Sequence, residues 1–295
     1  MKYEVIKARA KINIILDILG KREDGYHELK TIMQTVGLSD TITVNKTDDG
    51  LITIGTNSKK IPCDNSNLAY KAALYLKKNY NITGGIAIKI DKNIPVAAGL
   101  AGGSADCAAT LVAVRNLYNL SLTDRELAEI GKSMGADVPY CIYGGTYLAE
   151  GIGERLTALP PFPVMSVLIA KPDVDVSTAW VYENFDLSKV KEFPDTEKMK
   201  RCIAENNTEG ICAGLCNVLE SVTAEKYPVI NEIKRIMLEF GASGALMSGS
   251  GPTVFGLYIH KSDCAKALEC LREKLNISNC FITSVSNNYY SNPIY

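Results

Sequence analysis

Histidine and tryptophan are scarce in this chain, with two of the first and one of the second among 295 residues. His27 and His260 cannot supply the mixed Cys/His sets of a structural zinc site, so no built-in metal centre is expected. A CxxC pair is also missing. The nine cysteines (Cys63, Cys107, Cys141, Cys202, Cys212, Cys216, Cys264, Cys270 and Cys280) are odd in number and irregular in spacing. That argues against a disulfide framework and for reduced, mostly buried thiols. Neither sign of charge dominates: 32 Lys and Arg against 33 Asp and Glu leave a net −1. No global positive field is available to hold a nucleic acid or an anionic bilayer, so neither is an expected partner. Any anion must be captured locally. The apolar run from Ile12 to Leu19 is broken by Asn13 and Asp17 and is too short to span a membrane. The chain reads as mature and cytoplasmic.

With 46% hydrophobic and 22% charged residues, the sequence is that of an ordinary globular chain. Its length is about twice the ~150-residue prior for a single domain, which suggests one large or two moderate domains. The sharpest breaker cluster, Pro160-Pro161-x-Pro163, sets the expected boundary between domains 1–159 and 160–295.

Residues 3–18 alternate as a strand, with Lys11, Asn13 and Ile15 on one face and Ile12, Ile14 and Leu16 on the other. Leu29–Asn45 reads as two strand pieces around Gly37-Leu38-Ser39-Asp40, and 51–55 and 84–95 as further strands. Helices are expected at 67–78 and 105–120. Another opens at Thr123, with Glu126 three residues on as a capping box. YLAE (147–150) is strand-like. Beyond the boundary, 164–172 reads as a buried strand, and 177–185, 195–205, 210–221, 227–240 and 262–275 as helices. GALMS, TVFGLYI and CFITSVS complete a second set of strands. Without strict βαβ alternation, two α+β domains fit better than a doubly wound sheet.

The most informative stretch is Pro95-Val96-Ala97-Ala98-Gly99-Leu100-Ala101-Gly102-Gly103-Ser104-Ala105-Asp106, between an expected strand and an expected helix. Its side chains are small enough for backbone N–H groups to converge on an anion at a positive helix end, with Ser104 adding a hydroxyl. A phosphate suits such a loop. A glycine-rich turn that merely permits close helix packing suits the same composition. The glycine spacing matches neither GxxxxGK[ST] nor GxGxxG. A second small-residue segment, Gly241–Thr253, reads as a hairpin turn that can also buttress the first loop.

Three side chains stand out on their own chemistry. Lys11 lies in an apolar strand, where an unpaired ammonium is costly, so it needs a carboxylate or a ligand. Asp137, in Gly135-Ala136-Asp137-Val138-Pro139, can present a carboxylate into a cleft or stabilise its own turn. Asn67 has the character of a helix N-cap.

PVAAGLAGGSAD resembles the phosphate loop of the GHMP kinase superfamily, and SGSGPTVFG its C-terminal glycine motif. AKINI (10–14), DGYHEL (24–29) and GADVPYCIYGGTYLAEGIGE (135–154) narrow the resemblance to members of the non-mevalonate isoprenoid pathway. Their acceptor is a cytidine diphosphate derivative. The resemblance runs from about residue 7 to about residue 259 and implies a two-domain fold with the active site in the cleft between domains. It implies ATP as co-substrate, Mg²⁺ delivered with it, and transfer to the acceptor's 2-hydroxyl. Asp137 becomes the base and Lys11 its partner, with Asn13 assisting. Tyr26 and His27 recognise the cytosine and ribose, and Tyr182 sandwiches the base, although Trp180 is near enough to compete for that place. Pro95–Ala105 hold the ATP phosphates, and Asn67 and Lys92 contact the adenine. Many relatives carry Ser-Ser where this chain has Ser104-Ala105, so one hydroxyl remains for a phosphate or a Mg²⁺-bound water. A monomer or a homodimer is expected. The alternatives are a GHMP kinase for another alcohol, such as homoserine or mevalonate, and a nucleotide-binding protein without catalysis.

Overall fold

In the computed structural model, residues 3–287 are described. The chain opens with two long antiparallel strands, β1 (Tyr3–Lys21) and β2 (His27–Thr47), followed by β3 (Ile52–Thr56), α1 (Leu68–Asn79) and β4 (Gly85–Asp91). Then come α2 (Gly102–Tyr118), α3 (Asp124–Lys132), α4 (Val138–Tyr143), β5 (Thr146–Gly151) and β6 (Arg155–Ala158). The rest runs β7 (Ser166–Lys171), α5 (Thr178–Glu183), α6 (Thr196–Ala204), α7 (Thr208–Ala213), β8 (Cys216–Asn217), α8 (Glu220–Lys226), α9 (Val229–Glu239), β9 (Gly244–Met247), β10 (Val254–Tyr258), α10 (Lys261–Leu275) and β11 (Asn279–Ser284).

Two sheets result. The first has the order β3-β4-β2-β1-β8, with β5 and β6 continuing from the far part of β2; the second is β11-β7-β10-β9. One core lies between the first sheet and α1–α4, and another between the second sheet and α8–α10. A third joins the sheets, with Ile12 and Ile14 of β1 packing among Val167, Ile169, Phe255 and Leu257. Burying each such isoleucine stabilises the fold by roughly 1.5–3 kcal/mol. Among the described residues no helix is long and apolar enough to cross a membrane. Cys63 is exposed, the other eight cysteines are buried, and all nine are free.

Most expected elements are present, including the Thr123–Glu126 capping box that starts α3. Three expectations need correction. The residues Gly37 to Asp40 do not form a turn: β2 runs through them, Arg9 faces Ser39, and a bulge between Arg9 and Lys11 absorbs the irregularity. The helix expected at 210–221 is split into α7 and α8 by β8, where the Asn217 amide donates to the carbonyls of Met247 and Gly249. Finally, a second bulge between Asn13 and Ile15 shifts the alternation of β1. Leu16, rather than Ile15, therefore follows Lys11 and Asn13 along the cleft.

Candidate active site

A cleft of about 990 Å³ lies between the small-residue loop that opens α2 and residues of the C-terminal part, Tyr182 and Ser250 among them. Pro95 through Ser104 all line it. Ala97, Gly99 and Ala101 have φ of +52°, +70° and +57°, so every second residue is left-handed across this stretch. Such alternation turns successive N–H groups toward one side, the geometry of an anion nest. Two of the three are alanines, a conformation that costs energy and concentrates at functional sites. The N-cap of α2, Ala101, offers no side-chain hydrogen bond, so the first N–H groups of a 17-residue helix have no side-chain cap. The helix begins three residues earlier than its apolar run suggests, which places Gly102, Gly103 and Ser104 in its first turn. Ala105 does not belong with them: it is fully buried in the core, and its N–H is already bonded to Ala101.

The second glycine loop supports the first from behind. The Ser248 hydroxyl donates to the Gly99 carbonyl at 3.0 Å. A Cβ on Gly99 would stand 2.2 Å from the Ser248 carbonyl oxygen, so the approach itself requires glycine. Asn217 fixes the supporting loop through its two bonds to Met247 and Gly249. Neither Ser248 nor Asn217 carried a sequence signal beyond the small-residue composition around the former.

On the floor of the cleft, the buried Lys11 ammonium donates to Asn13 Oδ1 at 2.8 Å and to the Gly99 carbonyl at 3.3 Å. Asp137 Oδ2 stands 3.9 Å away. Asn13 is oriented in turn, since its amide donates to Thr31 Oγ1, which donates to the Ile15 carbonyl. Asp137 occupies the N-cap position of α4 yet makes no capping bond, so its carboxylate is not spent on its own turn. Tyr182 lies close by: burial raises its phenol, and the charge of Asp137 adds to the rise.

Lys92 and Asn67 line the opposite end of the cleft. Lys92 is not a solvated strand end. Its ammonium donates to Asp40 Oδ2 at 2.5 Å and to Asp106 Oδ2 at 2.7 Å, with all three side chains at most 5% exposed. Asn67 caps α1 by accepting from the Ala69 N–H and donates to the Pro62 carbonyl. The position of Asp40 was readable after all: it shares parity with Ile42 and Val44, the buried face of β2.

The aromatic residues gather at the other extremity. The rings of His27 and Tyr182 lie 5.4 Å apart at 30°, and Phe185 meets His27 edge-on at 6.4 Å. Burial, then the charge of Lys21, holds the His27 imidazole below its usual value. Tyr26 is 62% exposed at the rim. Trp180 points elsewhere, with the Lys226 ammonium 3.7 Å from its ring centroid, and does not line the cleft. Phe185 was not singled out from the sequence; it falls inside the helix expected at 177–185 but lies beyond α5, which ends at Glu183.

This fold, with a small-residue loop opening a helix beside a lysine and an aspartate, is that of a GHMP kinase. The sequence model for the GHMP kinases N terminal domain matches residues 67–145, and that for the GHMP kinases C terminal domain residues 190–277. A 4-diphosphocytidyl-2-C-methyl-D-erythritol kinase of Caldicellulosiruptor saccharolyticus is 50% identical, covering 98% of this chain and 99% of its own. One from Acetivibrio thermocellus is 48% identical over 94% and 97%. A crystal structure of 4-(cytidine 5'-diphospho)-2C-methyl-D-erythritol kinase superposes with a TM-score of 0.82 at 30% identity, covering 97% of this chain and all of the other. Homoserine kinase from Cytophaga hutchinsonii shares the fold, with a TM-score of 0.77 at 20% identity. The chain belongs to the 4-diphosphocytidyl-2-C-methyl-D-erythritol kinase family.

Proposed function

We propose that the chain transfers the γ-phosphoryl group of ATP to the 2-hydroxyl of 4-diphosphocytidyl-2-C-methyl-D-erythritol. The observation that carries this reading is the placement of Lys11 and Asp137, 3.9 Å apart, in one cleft with a phosphate-type loop and an aromatic cluster. In-line transfer needs a positioned hydroxyl, charge neutralisation and a proton acceptor. Asp137 takes the hydroxyl proton as the oxygen attacks the γ-phosphorus, and the bond to the bridging oxygen breaks to release ADP. Lys11, held by Asn13 and the Gly99 carbonyl, stabilises charge on the moving group. The nest at 97–101 and the open first turn of α2 receive the phosphates, with the Ser104 hydroxyl as a further donor. Mg²⁺ enters as part of the Mg–ATP substrate. Asn67 borders the adenine, and Lys92 supports that end through its two carboxylates rather than through a free ammonium.

At the acceptor end, Tyr182 and Tyr26 bracket the cytosine, while His27 supplies an edge. Base stacking on aromatic rings is worth roughly 1–3 kcal/mol per base. The reading takes residues 1–159 as the domain carrying the loop, Lys11 and Asp137, and residues 160–295 as the domain that supplies Tyr182. Every assigned group comes from one chain, so a monomer suffices. A coupled assay of ADP release tests the proposal. Turnover is expected with the cytidine diphosphate acceptor and Mg–ATP, inhibited by CDP and absent with homoserine or mevalonate. No turnover with the cytidine acceptor would overturn it.

A further inference from the structure

Beneath the phosphate loop, Asp40 and Asp106 share one ammonium, that of Lys92, within 2.5 and 2.7 Å. The cluster is buried and contains one acid more than base. Asp40 has other partners, because its Oδ1 accepts from the N–H groups of Asn93 and Ile94 at 2.6 and 2.8 Å. Asp106 has fewer: its Oδ1 is buried without a hydrogen-bond partner. A buried carboxylate oxygen without a donor is the expensive form of that group, and the neutral acid is the cheaper one. Asp40 and Asp106 meet on the same Lys92 ammonium, so the two carboxylates are close neighbours and a proton on one relieves their mutual repulsion.

We propose that Asp106 is a positioning residue that retains a proton in the nucleotide-free protein and holds it more tightly once a triphosphate is seated on the loop. Nucleotide binding then takes up H⁺. The position of Asp106 makes the coupling physical, since it sits two residues beyond Ser104 in the helix whose N-terminus forms the cradle. With both acids ionised, the cluster would place a buried −1 under a site for a polyanion. With Asp106 neutral, that charge vanishes and Lys92 and Asp40 balance. The inference rests on the reading that this loop receives ATP phosphates, and on nothing about the acceptor.

The charge environment agrees with the geometry. Burial pushes the Asp106 carboxyl up to about 8, opposed by Lys92 and reinforced by Asp40. The facing thiols add no charge near neutrality. Burial lifts Cys107, on the same helix, to about 12, and Cys141, on α4, is also raised, chiefly by burial. Lys11 of β1 and Asp137 before α4 act on that neighbouring thiol with opposite signs. A group whose proton affinity rises on binding favours binding fully below its free value, and that advantage is lost as pH climbs from the free value through the higher bound one.

Isothermal titration with a non-hydrolysable Mg–ATP analogue at pH 8 to 9, in buffers of different ionisation enthalpy, tests this. The wild-type protein should take up a fraction of a proton per nucleotide, and its affinity should fall about fivefold between pH 7 and 9. Asp106→Asn should bind with no proton uptake and a flat profile. Asp40→Asn keeps an oxygen for the two N–H donors and leaves Lys92 a single acid, so it should abolish the uptake too. It serves as the second variant should Asp106→Asn fail to fold. Binding without proton uptake by the wild type, or uptake unchanged in both variants, would overturn the proposal. No analogue binding at any pH would overturn it together with the ATP reading on which it rests.

Discussion

The two ends of the cleft are built from different materials. At the end assigned to nucleotide, recognition falls to main chain: the left-handed residues Ala97, Gly99 and Ala101, an uncapped helix start, and a second loop pressed against the first. At the end assigned to the acceptor, recognition falls to the side chains of His27, Tyr182 and Phe185, with Tyr26 exposed at the rim. A backbone cradle suits phosphates, which every nucleotide shares. Side-chain rings suit a base, which distinguishes one acceptor from another. On the proposed reading, the difference also accounts for how a chain of net charge −1 handles two polyanions: most of the groups assigned to capture carry no formal charge.

Substitutions at the two ends should therefore separate kinetically. Asp137→Asn, at the junction, should lower kcat by at least about a hundredfold with modest change in either KM, because a proton acceptor acts mainly in the transition state. A near-wild-type kcat would mean that positioning and electrostatics carry the reaction without a base. Tyr182→Ala should raise the acceptor KM about 10- to 100-fold and leave the ATP KM within about twofold, given the usual worth of base stacking. An equal rise in both constants would erase the proposed division. Gly99→Ala forces a side chain into the 2.2 Å approach to Ser248 and into positive φ. It should raise the ATP KM about tenfold and lower the melting temperature by a few degrees. Trp180→Ala is the smallest change. Its ring is engaged by Lys226 outside the cleft, so the acceptor KM should move less than about twofold.

The nucleotide end was more legible in the sequence than the acceptor end, for a physical reason. A backbone cradle requires mostly small residues, and the composition of 95–104 marks it as one of two readings, a phosphate cradle or a packing turn, that the resemblance then separates. The aromatic cluster joins residues from a turn near position 26 and from a helix near 180, and nothing local links them; only the resemblance did. Much of the strand and helix pattern followed from periodicity. The failures came where tertiary contacts overrode it. Gly37 to Asp40 reads as a break between two strand pieces, but β2 runs through it, with Ser39 and Asp40 paired to Arg9 and Ala8 of β1. Residues 210–221 read as one helix, but pairing of Cys216 and Asn217 with Ile15 and Leu16 breaks it. The bulge that moves Leu16 onto the cleft face has no single-residue signature, and a strict period of two misplaces everything beyond it. Lys92 stands apart: only the resemblance implied a contact with adenine, and its partners within the chain are two carboxylates distant in sequence.

The most direct test of the central claim is phosphorus NMR of a completed reaction containing the purified protein, Mg–ATP and 4-diphosphocytidyl-2-C-methyl-D-erythritol. One new phosphomonoester, on the 2-hydroxyl and equimolar with ADP, should appear while the cytidine diphosphate signals persist. ADP formed without that monoester, or a monoester on a different hydroxyl, would contradict the assignment of Lys11 and Asp137 to this transfer.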